Sequence, residues 1–304
     1  QGIGIDAVSV AEARLALAAG FRPGDITFTS NGVDFAEIAE AVELGLSINL
    51  DNLPMLEKFG AAYGGSVPCC IRLKPGIRAG GNAKIQVGHS RSKFGVPLAM
   101  LPELQNLIEK YRLDINGLHI HSGSDILDAD AFTQGAEVLF GVAKNFPDLR
   151  FIDFGGGFKV AYRQGDKTTD MPALGQKLSA AFRAFCDEYG RELEMWFEPG
   201  KYLVSEAGVL LVTANQVKPT PDVTFVQVNS GLNHLIRPML YDAYHEIVNV
   251  ANPTGEPKTY DVVGYICETD TFATDRTLPE VRENDLLAIL NAGAYGFTMS
   301  SQYN

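Results

Sequence analysis

Residues 4–20 read GIDAVSVAEARLALAAG, a short apolar run followed by a turn and a helical pattern. Ser9 and Glu12 open that pattern with the spacing of a capping box, which satisfies free N–H groups of the first helical turn. Gly20 follows the last turn, where glycine favours the left-handed conformation that ends a helix. The stretch therefore predicts one strand followed by one helix, the repeating unit of parallel α/β folds.

The same unit recurs along the first two thirds of the chain. Asp34 and Glu37 repeat the capping box, and Gly45 ends the second helix. The predicted strands are mostly apolar throughout, as expected for strands buried on both faces. They lie at 4–9, 26–30, 47–51, 69–74, 115–121, 151–154 and 194–198. Later helices are predicted at 104–111, 132–144 and 174–189.

Seven such units predict a (β/α)8 TIM barrel whose first unit is missing from this chain. An open doubly wound sheet is the structural alternative. The sequence starts at Gln1 and runs directly into apolar residues, so we expect it to begin inside a longer protein. From about Ala207 five short β-rich runs replace the helical pattern, with prolines in the turns between them. They lie at 209–215, 223–228, 246–250, 260–264 and 286–291. We therefore predict an α/β barrel over 1–206 and a C-terminal all-β domain over 207–304.

Composition restricts the partners and the compartment. The 304 residues carry a net charge of −12, which disfavours nucleic acid or an anionic membrane as a partner, because both attract basic surfaces. No apolar run has the length of a membrane span, and no signal peptide is recognisable. The 4 cysteines form no CxxC pair, which fits a reducing cytoplasm. No His, Asp and Glu grouping has metal-binding spacing, so no metal is predicted.

Chemically informative residues follow the predicted strands, where the active sites of α/β barrels lie. Asp6 ends the first strand, His121 ends the fifth, and Ser124 lies in the loop that follows it. Three glycines at 155–157 let backbone N–H groups approach an anion such as phosphate, with a plain tight turn as the equal alternative. Glu198 is a carboxylate among apolar strands and needs a cationic partner, which a protonated ring nitrogen would provide. Capping of a helix by Glu198, and a core role for His121, are the simpler alternatives.

Five motifs in order resemble the pyridoxal phosphate (PLP) decarboxylases of the alanine racemase-like fold. They are GLHIHSGS at 117–124, DFGGG at 153–157, EPGK at 198–201, CET at 267–269 and GAYG at 293–296. RPMLY at 237–241 and the final MSSQYN narrow the resemblance to the diaminopimelate decarboxylases. The resemblance implies PLP-dependent decarboxylation of meso-2,6-diaminopimelate to L-lysine and CO2, the last step of lysine biosynthesis.

The resemblance also implies roles for individual residues. The catalytic residues would be Cys267, His121 and Glu198. The cofactor would be bound by Asp6, His121, Ser124, Gly155, Gly156, Gly157, Glu198, Pro199, Gly200, Lys201 and Tyr295. The substrate would be bound by Lys201, Arg237, Tyr241, Glu268 and Tyr295. Cys267 and Glu268 would reach the active site of a neighbouring subunit, which implies a homodimer.

Two departures from the family pattern stand out. Nothing matches the strand that carries the family's Schiff-base lysine, so this polypeptide taken by itself is expected to be nearly inactive. Lys201 stands where most relatives have arginine; it keeps the positive charge but loses the bidentate fork, and its contact with substrate stays open.

Two other functions remain open from the sequence. One is a related decarboxylase of a basic amino acid or of carboxynorspermidine, and the other is a non-catalytic, decarboxylase-like binding protein. Residues outside the motifs receive plainer interpretations. Cys69 and Cys70 are expected in the core, and His89 on a loop at the rim of the site. Arg72 and Lys93 are each expected to form a structural ion pair with a carboxylate, and His234 and His245 to occupy structural or interfacial positions.

Overall fold

The computed structural model describes residues 2–76, 92–121, 123–127 and 129–304. The chain divides into two compact units. The first consists of residues 1–157 and 169–198, and the second of residues 158–168 and 199–304. The domain division at 206/207 stays a prediction. His89 lies outside the described residues.

The first unit is built on seven parallel strands that pair in chain order. They are β1 (Ile5–Ala7), β2 (Ile26–Thr29), β3 (Ser47–Leu50), β4 (Cys69–Lys74), β6 (Ile115–His119), β7 (Phe151–Asp153) and β8 (Glu194–Trp196), with a short β5 (Val96–Pro97) paired to β4. A doubly wound sheet would reverse its strand order at one point, whereas this sheet does not. The α/β fold and all seven predicted strands are confirmed.

Helices α1 (Val10–Ala18) and α2 (Phe35–Glu43) begin at the predicted caps. The Ser9 hydroxyl accepts from the Glu12 N–H at 3.2 Å, and the Asp34 carboxylate accepts from the Glu37 N–H at 3.1 Å. Three further helices overlap predicted ones: α4 (Leu101–Tyr111), α5 (Ala129–Ala143) and α6 (Met171–Tyr189). Helix α3 (Leu53–Tyr63) is the helix that the repeating unit requires between β3 and β4; Asn52 caps it at the Met55 N–H, and proline stands in its first turn.

The interior of the first unit is formed by the apolar strands and the inner faces of the helices. Phe28, Ile48, Ile71 and Leu118 are each at most 2% exposed. Cys69 and Cys70 are also buried, which confirms their predicted place in the core. A smaller set of polar side chains is buried near the carboxyl ends of the strands: Thr29, Asn49, Arg72, His119 and Asp153. Burial of so many polar groups on one set of strands is unusual for a core and marks a site.

The second unit contains a mixed sheet of six strands in the order β11-β14-β9-β10-β12-β13. The strands are β9 (Leu210–Pro219), β10 (Thr224–Val228), β11 (Ile247–Asn249), β12 (Pro257–Val263), β13 (Thr271–Pro279) and β14 (Leu286–Ile289). Val212, Val226, Val262 and Leu287 form the centre of its core. Two short helices, α7 (Gly200–Val204) and α8 (Arg237–Tyr241), belong to this unit. Five strands were predicted, whereas β13 and α8 were not.

None of the helices in the described ranges is both long and apolar enough to cross a membrane.

Candidate active site

Strand register places the buried polar residues of the first unit side by side. Arg72 on β4 is the register partner of His119 on β6, which is in turn the partner of Asp153 on β7. Partners on parallel strands point to the same face of the sheet. The loop after β8 brings Glu198 to the same place, where its N–H donates to the Gly155 carbonyl at 2.9 Å. Four charged or titratable side chains from consecutive strands therefore converge.

Glu198 lies between two histidines. Its Oε1 is 3.3 Å from His119 Nε2, and its Oε2 is 3.7 Å from His121 Nδ1. Neither Glu198 Oε1 nor His119 Nε2 completes a hydrogen bond with a described protein atom, although both are buried. Asn49 Nδ2 contacts His119 Nδ1 at 2.8 Å, and the Gly156 N–H donates to His121 Nδ1 at 3.1 Å. An amide N–H donor on each Nδ1 gives both rings the Nε2–H form.

The carboxylates of this cluster are difficult to ionise. Burial, and then the Glu198 charge, raise the pKa of Asp153 to about 7. Burial likewise raises the pKa of Glu198 to about 7, against the opposing effect of Arg72. Burial lowers the pKa of His119 to about 4, so this ring is neutral and offers no charge to offset them. The cluster therefore favours an added cation beside Glu198.

The glycine turn after β7 has no room for side chains. Gly155 and Gly157 have φ angles of +68° and +97°, which L side chains rarely adopt. A Cβ on Gly155 would lie 2.5 Å from the Ile120 carbonyl oxygen, and one on Gly157 would lie 2.2 Å from that of Gly123. The Gly155 N–H donates to Asp153 Oδ1 at 2.8 Å. With the Gly156 N–H bound to His121, only the Gly157 N–H of this turn has no acceptor among the described residues.

The predicted site residues fall into both units. His121, Gly155, Gly156, Gly157 and Glu198 come together in the first unit, where Asp6 on β1 acts electrostatically on Asp153 and Ser124 is half-buried. Pro199, Gly200, Lys201, Arg237, Tyr241, Cys267, Glu268 and Tyr295 belong to the second unit. There the guanidinium carbon of Arg237 lies 5.8 Å from the centre of the Tyr295 ring. Cys267 is exposed, with its Sγ 3.4 Å from Asn304 Nδ2, and Glu268 accepts a hydrogen bond from the Tyr303 hydroxyl.

Arg72, His119 and Asp153 belong to this cluster but were not predicted as site residues. His119, Asp153 and Glu198 each bring a possible ligand atom within 4.8 Å of the others. Linear spacing does not reveal this group, because its members come from three strands. The absence of a metal stays a prediction. Arg72 and Lys93 were expected to form an ion pair with a carboxylate. The structure shows both near the Phe94 ring: the guanidinium carbon of Arg72 lies 4.6 Å from the ring centre, and Nζ of Lys93 lies 5.0 Å from it.

Comparison with known proteins identifies the class to which this fold and site belong. Residues 1–205 match the family model described as the pyridoxal-binding domain of pyridoxal-dependent decarboxylases. The chain therefore belongs to the pyridoxal-dependent decarboxylase family, as the motifs indicated. Diaminopimelate decarboxylases are among the relatives that it matches over its full length.

The diaminopimelate decarboxylase of Methanothermobacter thermautotrophicus is 38% identical over 100% of this chain and 73% of the relative. That of Escherichia coli K12 is 33% identical over 100% of this chain and 76% of the relative. A crystal structure of a diaminopimelate decarboxylase aligns with a TM-score of 0.93 at 33% identity, covering 100% of this chain and 76% of that one. The Helicobacter pylori enzyme complexed with L-lysine aligns with a TM-score of 0.88 at 33% identity, covering 99% and 76%.

The first unit has the features that pyridoxal phosphate requires. The cofactor has a basic ring nitrogen, and Glu198 presents a buried carboxylate oxygen that no described protein atom satisfies. The cofactor also has a phosphate, and the 155–157 turn offers a backbone that a Cβ would obstruct. The neutral His121 ring lies between these two features: its Nδ1 accepts from the Gly156 N–H of the turn and is 3.7 Å from Glu198 Oε2. The residues present therefore fit the family's cofactor.

Proposed function

We propose that this protein decarboxylates meso-2,6-diaminopimelate to L-lysine and CO2. The observation that carries the proposal is the buried Oε1 atom of Glu198, which no described protein atom satisfies, beside the glycine turn. It occurs in a chain that diaminopimelate decarboxylases match over its full length. When bound, pyridoxal phosphate supplies a protonated ring that accepts the electron pair left by departing CO2.

The first unit holds the cofactor in this proposal. Glu198 keeps a proton on the ring nitrogen, because an added positive charge relieves the two carboxylates whose pKa values are raised to about 7. His121 would contact the cofactor ring as a neutral imidazole, since burial lowers its pKa and the Gly156 N–H occupies its Nδ1. Gly157, Ser124 and Asp6 belong to the same proposed cofactor site. The N–H of Gly157 and Ser124 would hold the phosphate.

The second unit supplies the groups that act on the amino acid. Arg237 and Tyr241 bind the carboxylate at the far end of the substrate, and Glu268 binds the ammonium group beside it. A substrate without that carboxylate would leave the Arg237 charge unpaired, which is the basis of selectivity against diamine-forming substrates such as ornithine. Tyr295, Lys201, Pro199 and Gly200 complete the proposed contacts with phosphate and substrate.

Cys267 donates the proton that replaces CO2 on the reacting carbon. Its thiol is exposed, as a group must be if it serves an active site contributed by a second copy of the chain. We therefore propose a homodimer in which Cys267 and Glu268 act in the partner's site. The four cysteines are free, which supports a reducing compartment such as the cytoplasm.

The test uses the protein at its full encoded length, supplied with pyridoxal phosphate, and compares meso-diaminopimelate, ornithine and lysine as substrates. The expected result is CO2 release from meso-diaminopimelate with L-lysine as the product. Preference for ornithine or lysine would replace the proposed substrate with a basic amino acid. Cofactor binding without CO2 release from any of the three would favour a binding protein.

A further inference from the structure

Arg237 is a buried cation that forms no ion pair with a described carboxylate. It is 7% exposed and is the first residue of α8. Among the described residues, no Asp or Glu oxygen forms an ion pair with it. Its Nε–H instead donates to His245 Nε2 at 3.3 Å. Its guanidinium carbon lies 5.2 Å from the Tyr162 ring centre, so an aromatic face covers one side of the charge.

The tautomer of His245 follows from its two hydrogen bonds. Its Nδ1 lies 2.9 Å from the Leu290 carbonyl oxygen, which can only accept, so the proton is on Nδ1. Nε2 then carries a lone pair, which is what a guanidinium N–H requires. Burial lowers the pKa of His245 to about 4, with Arg237 and Arg276 adding to the effect. The ring is therefore a neutral acceptor at physiological pH.

His245 itself is held firmly within the second unit. It is 1% exposed, and its carbonyl accepts from Arg276 Nη1 at 2.7 Å. Leu290, which accepts from its ring, donates its own N–H to the Glu246 carbonyl at 2.8 Å. The Tyr162 ring packs edge-on against the imidazole at 5.5 Å. Because these contacts hold the His245 ring in one orientation, its Nε2 also holds the Arg237 side chain in one orientation.

We propose that His245 is the positioning residue that orients Arg237 for the carboxylate of the amino-acid substrate. A carboxylate acceptor in its place would also hold Arg237 but would neutralise it, whereas the neutral imidazole leaves its charge available. The bond to His245 uses only the Nε–H of Arg237. It therefore leaves the two terminal nitrogens, Nη1 and Nη2, able to bind a carboxylate end-on with two hydrogen bonds. The inference rests on the proposed function, because it assigns the substrate carboxylate to Arg237.

The test compares two ligands that differ by one carboxylate, L-lysine and cadaverine, on the protein supplied with pyridoxal phosphate. In His245→Leu, which has no acceptor, the Kd of L-lysine should rise about 10- to 100-fold, the value of a hydrogen bond to a charged group. The Kd of cadaverine should change by less than about twofold. His245→Gln, which keeps a neutral acceptor, should restore most of the affinity, and His245→Glu should not, because it neutralises Arg237.

Equal losses for both ligands in His245→Leu, or full affinity in His245→Glu, would overturn the proposal. Nitrogen-15 NMR of the unsubstituted protein gives a second measurement that does not depend on how the variants fold. His245 Nε2 should show the shift of an unprotonated nitrogen and keep it on acidification to about pH 5, where ordinary histidine is protonated. A protonated Nε2 at neutral pH would also overturn it. If the unsubstituted protein binds cadaverine as tightly as L-lysine, the proposed function fails, while the NMR result still decides the His245–Arg237 bond.

Discussion

The Oε1 atom of Glu198 lies 3.3 Å from Nε2 of His119, and neither atom completes a hydrogen bond with a described residue. His119 is neutral, because burial lowers its pKa to about 4. The contact therefore does not compensate the Glu198 charge. A cation that binds beside Glu198 would therefore stabilise its ionised form, and this interaction would strengthen the binding of that cation.

Glu198→Gln should make the cofactor-free protein more stable relative to the unsubstituted protein as pH rises. The folded-state pKa of Glu198 is raised from 4.5 to about 7, so stability is full below pH 4.5 and is lost as pH rises through 7. Glutamine does not ionise and escapes that loss, which is on the order of 3 kcal/mol for a shift of this size. Chemical denaturation at pH 4.5 and pH 8 measures the difference.

Glu192→Gln at an exposed position is the matched control and should show no such trend. Pyridoxal phosphate should reverse the ranking at pH 8, because it stabilises the unsubstituted protein more than Glu198→Gln. A constant difference between the two proteins across the pH range would mean that Glu198 ionises normally.

Gly157→Ala should weaken the binding of pyridoxal phosphate. The new Cβ would lie 2.2 Å from the Gly123 carbonyl oxygen, so the turn must move, and with it the one N–H of the turn left for a ligand. We expect a loss of at least about tenfold in affinity, the equivalent of one hydrogen bond to a charged phosphate. Titration of the cofactor followed by its absorption or fluorescence gives the Kd.

Gly190→Ala is the control that distinguishes the effect of backbone strain from that of the steric clash at Gly157. Gly190 has a φ of +88°, close to that of Gly157, but a Cβ there has nothing within 4 Å. This variant should lose stability without losing cofactor affinity. If Gly157→Ala and Gly190→Ala bind pyridoxal phosphate with equal affinity, the 155–157 turn is not part of the cofactor site.

Much of the fold was accessible from sequence because its signals are local. Ser9 and Asp34 make the predicted cap bonds, and both helices that they start are present. Strand β13 (Thr271–Pro279) was missed because its alternation is broken: the pairing with β12 shifts register, and Asp275 has a φ of +47°. A bulge of this kind removes the period-two pattern on which strand prediction depends.

The site was only partly accessible for a different reason. His121 and Glu198 stand in motifs, and their proximity was predicted. Arg72 and Asp153 become part of the site through register with His119, which no linear spacing encodes. The raised pKa of Asp153 depends on burial and on Glu198, two properties of the folded chain.

Cys267 should be the one thiol that reacts quickly in the native protein. Cys69, Cys70 and Cys186 are buried, and burial raises the pKa of Cys69 to about 12, so its thiolate is scarce. An aromatic disulfide reagent should therefore modify one thiol per chain without denaturant and all four with it. Cys267→Ser should abolish the fast reaction; persistence of that reaction would assign it to another cysteine.

In the protein at its full encoded length, Cys267→Ala should lower kcat by about 100-fold or more and leave the Kd of pyridoxal phosphate unchanged, as expected for loss of a proton donor.

Asp270→Asn should loosen the segment that carries Cys267 and Glu268. The carboxylate of Asp270, 1% exposed, accepts from the Leu232 N–H at 2.6 Å and from the Ile266 N–H at 2.8 Å. Asparagine leaves one of these donors facing an NH2 group, which costs about 1–3 kcal/mol for an unsatisfied buried group. Thermal unfolding measures the loss, and a faster reaction of Cys267 with the disulfide reagent reports the loosening.

Asp275→Asn is the matched control for this substitution. Asp275 also has a positive φ, but it is exposed, and its N–H donates to Asp261 Oδ1 while its own carboxylate accepts no hydrogen bond from a described residue. It should leave both the melting temperature and the Cys267 reaction rate unchanged. Neither Asp270 nor Asp275 is among the proposed cofactor contacts, so neither variant should alter the Kd of pyridoxal phosphate. If Asp270→Asn melts and reacts like Asp275→Asn, the two N–H bonds do not hold the Cys267 segment in place, and its position must be set by the contacts of Cys267 and Glu268 with the C-terminal residues Asn304 and Tyr303.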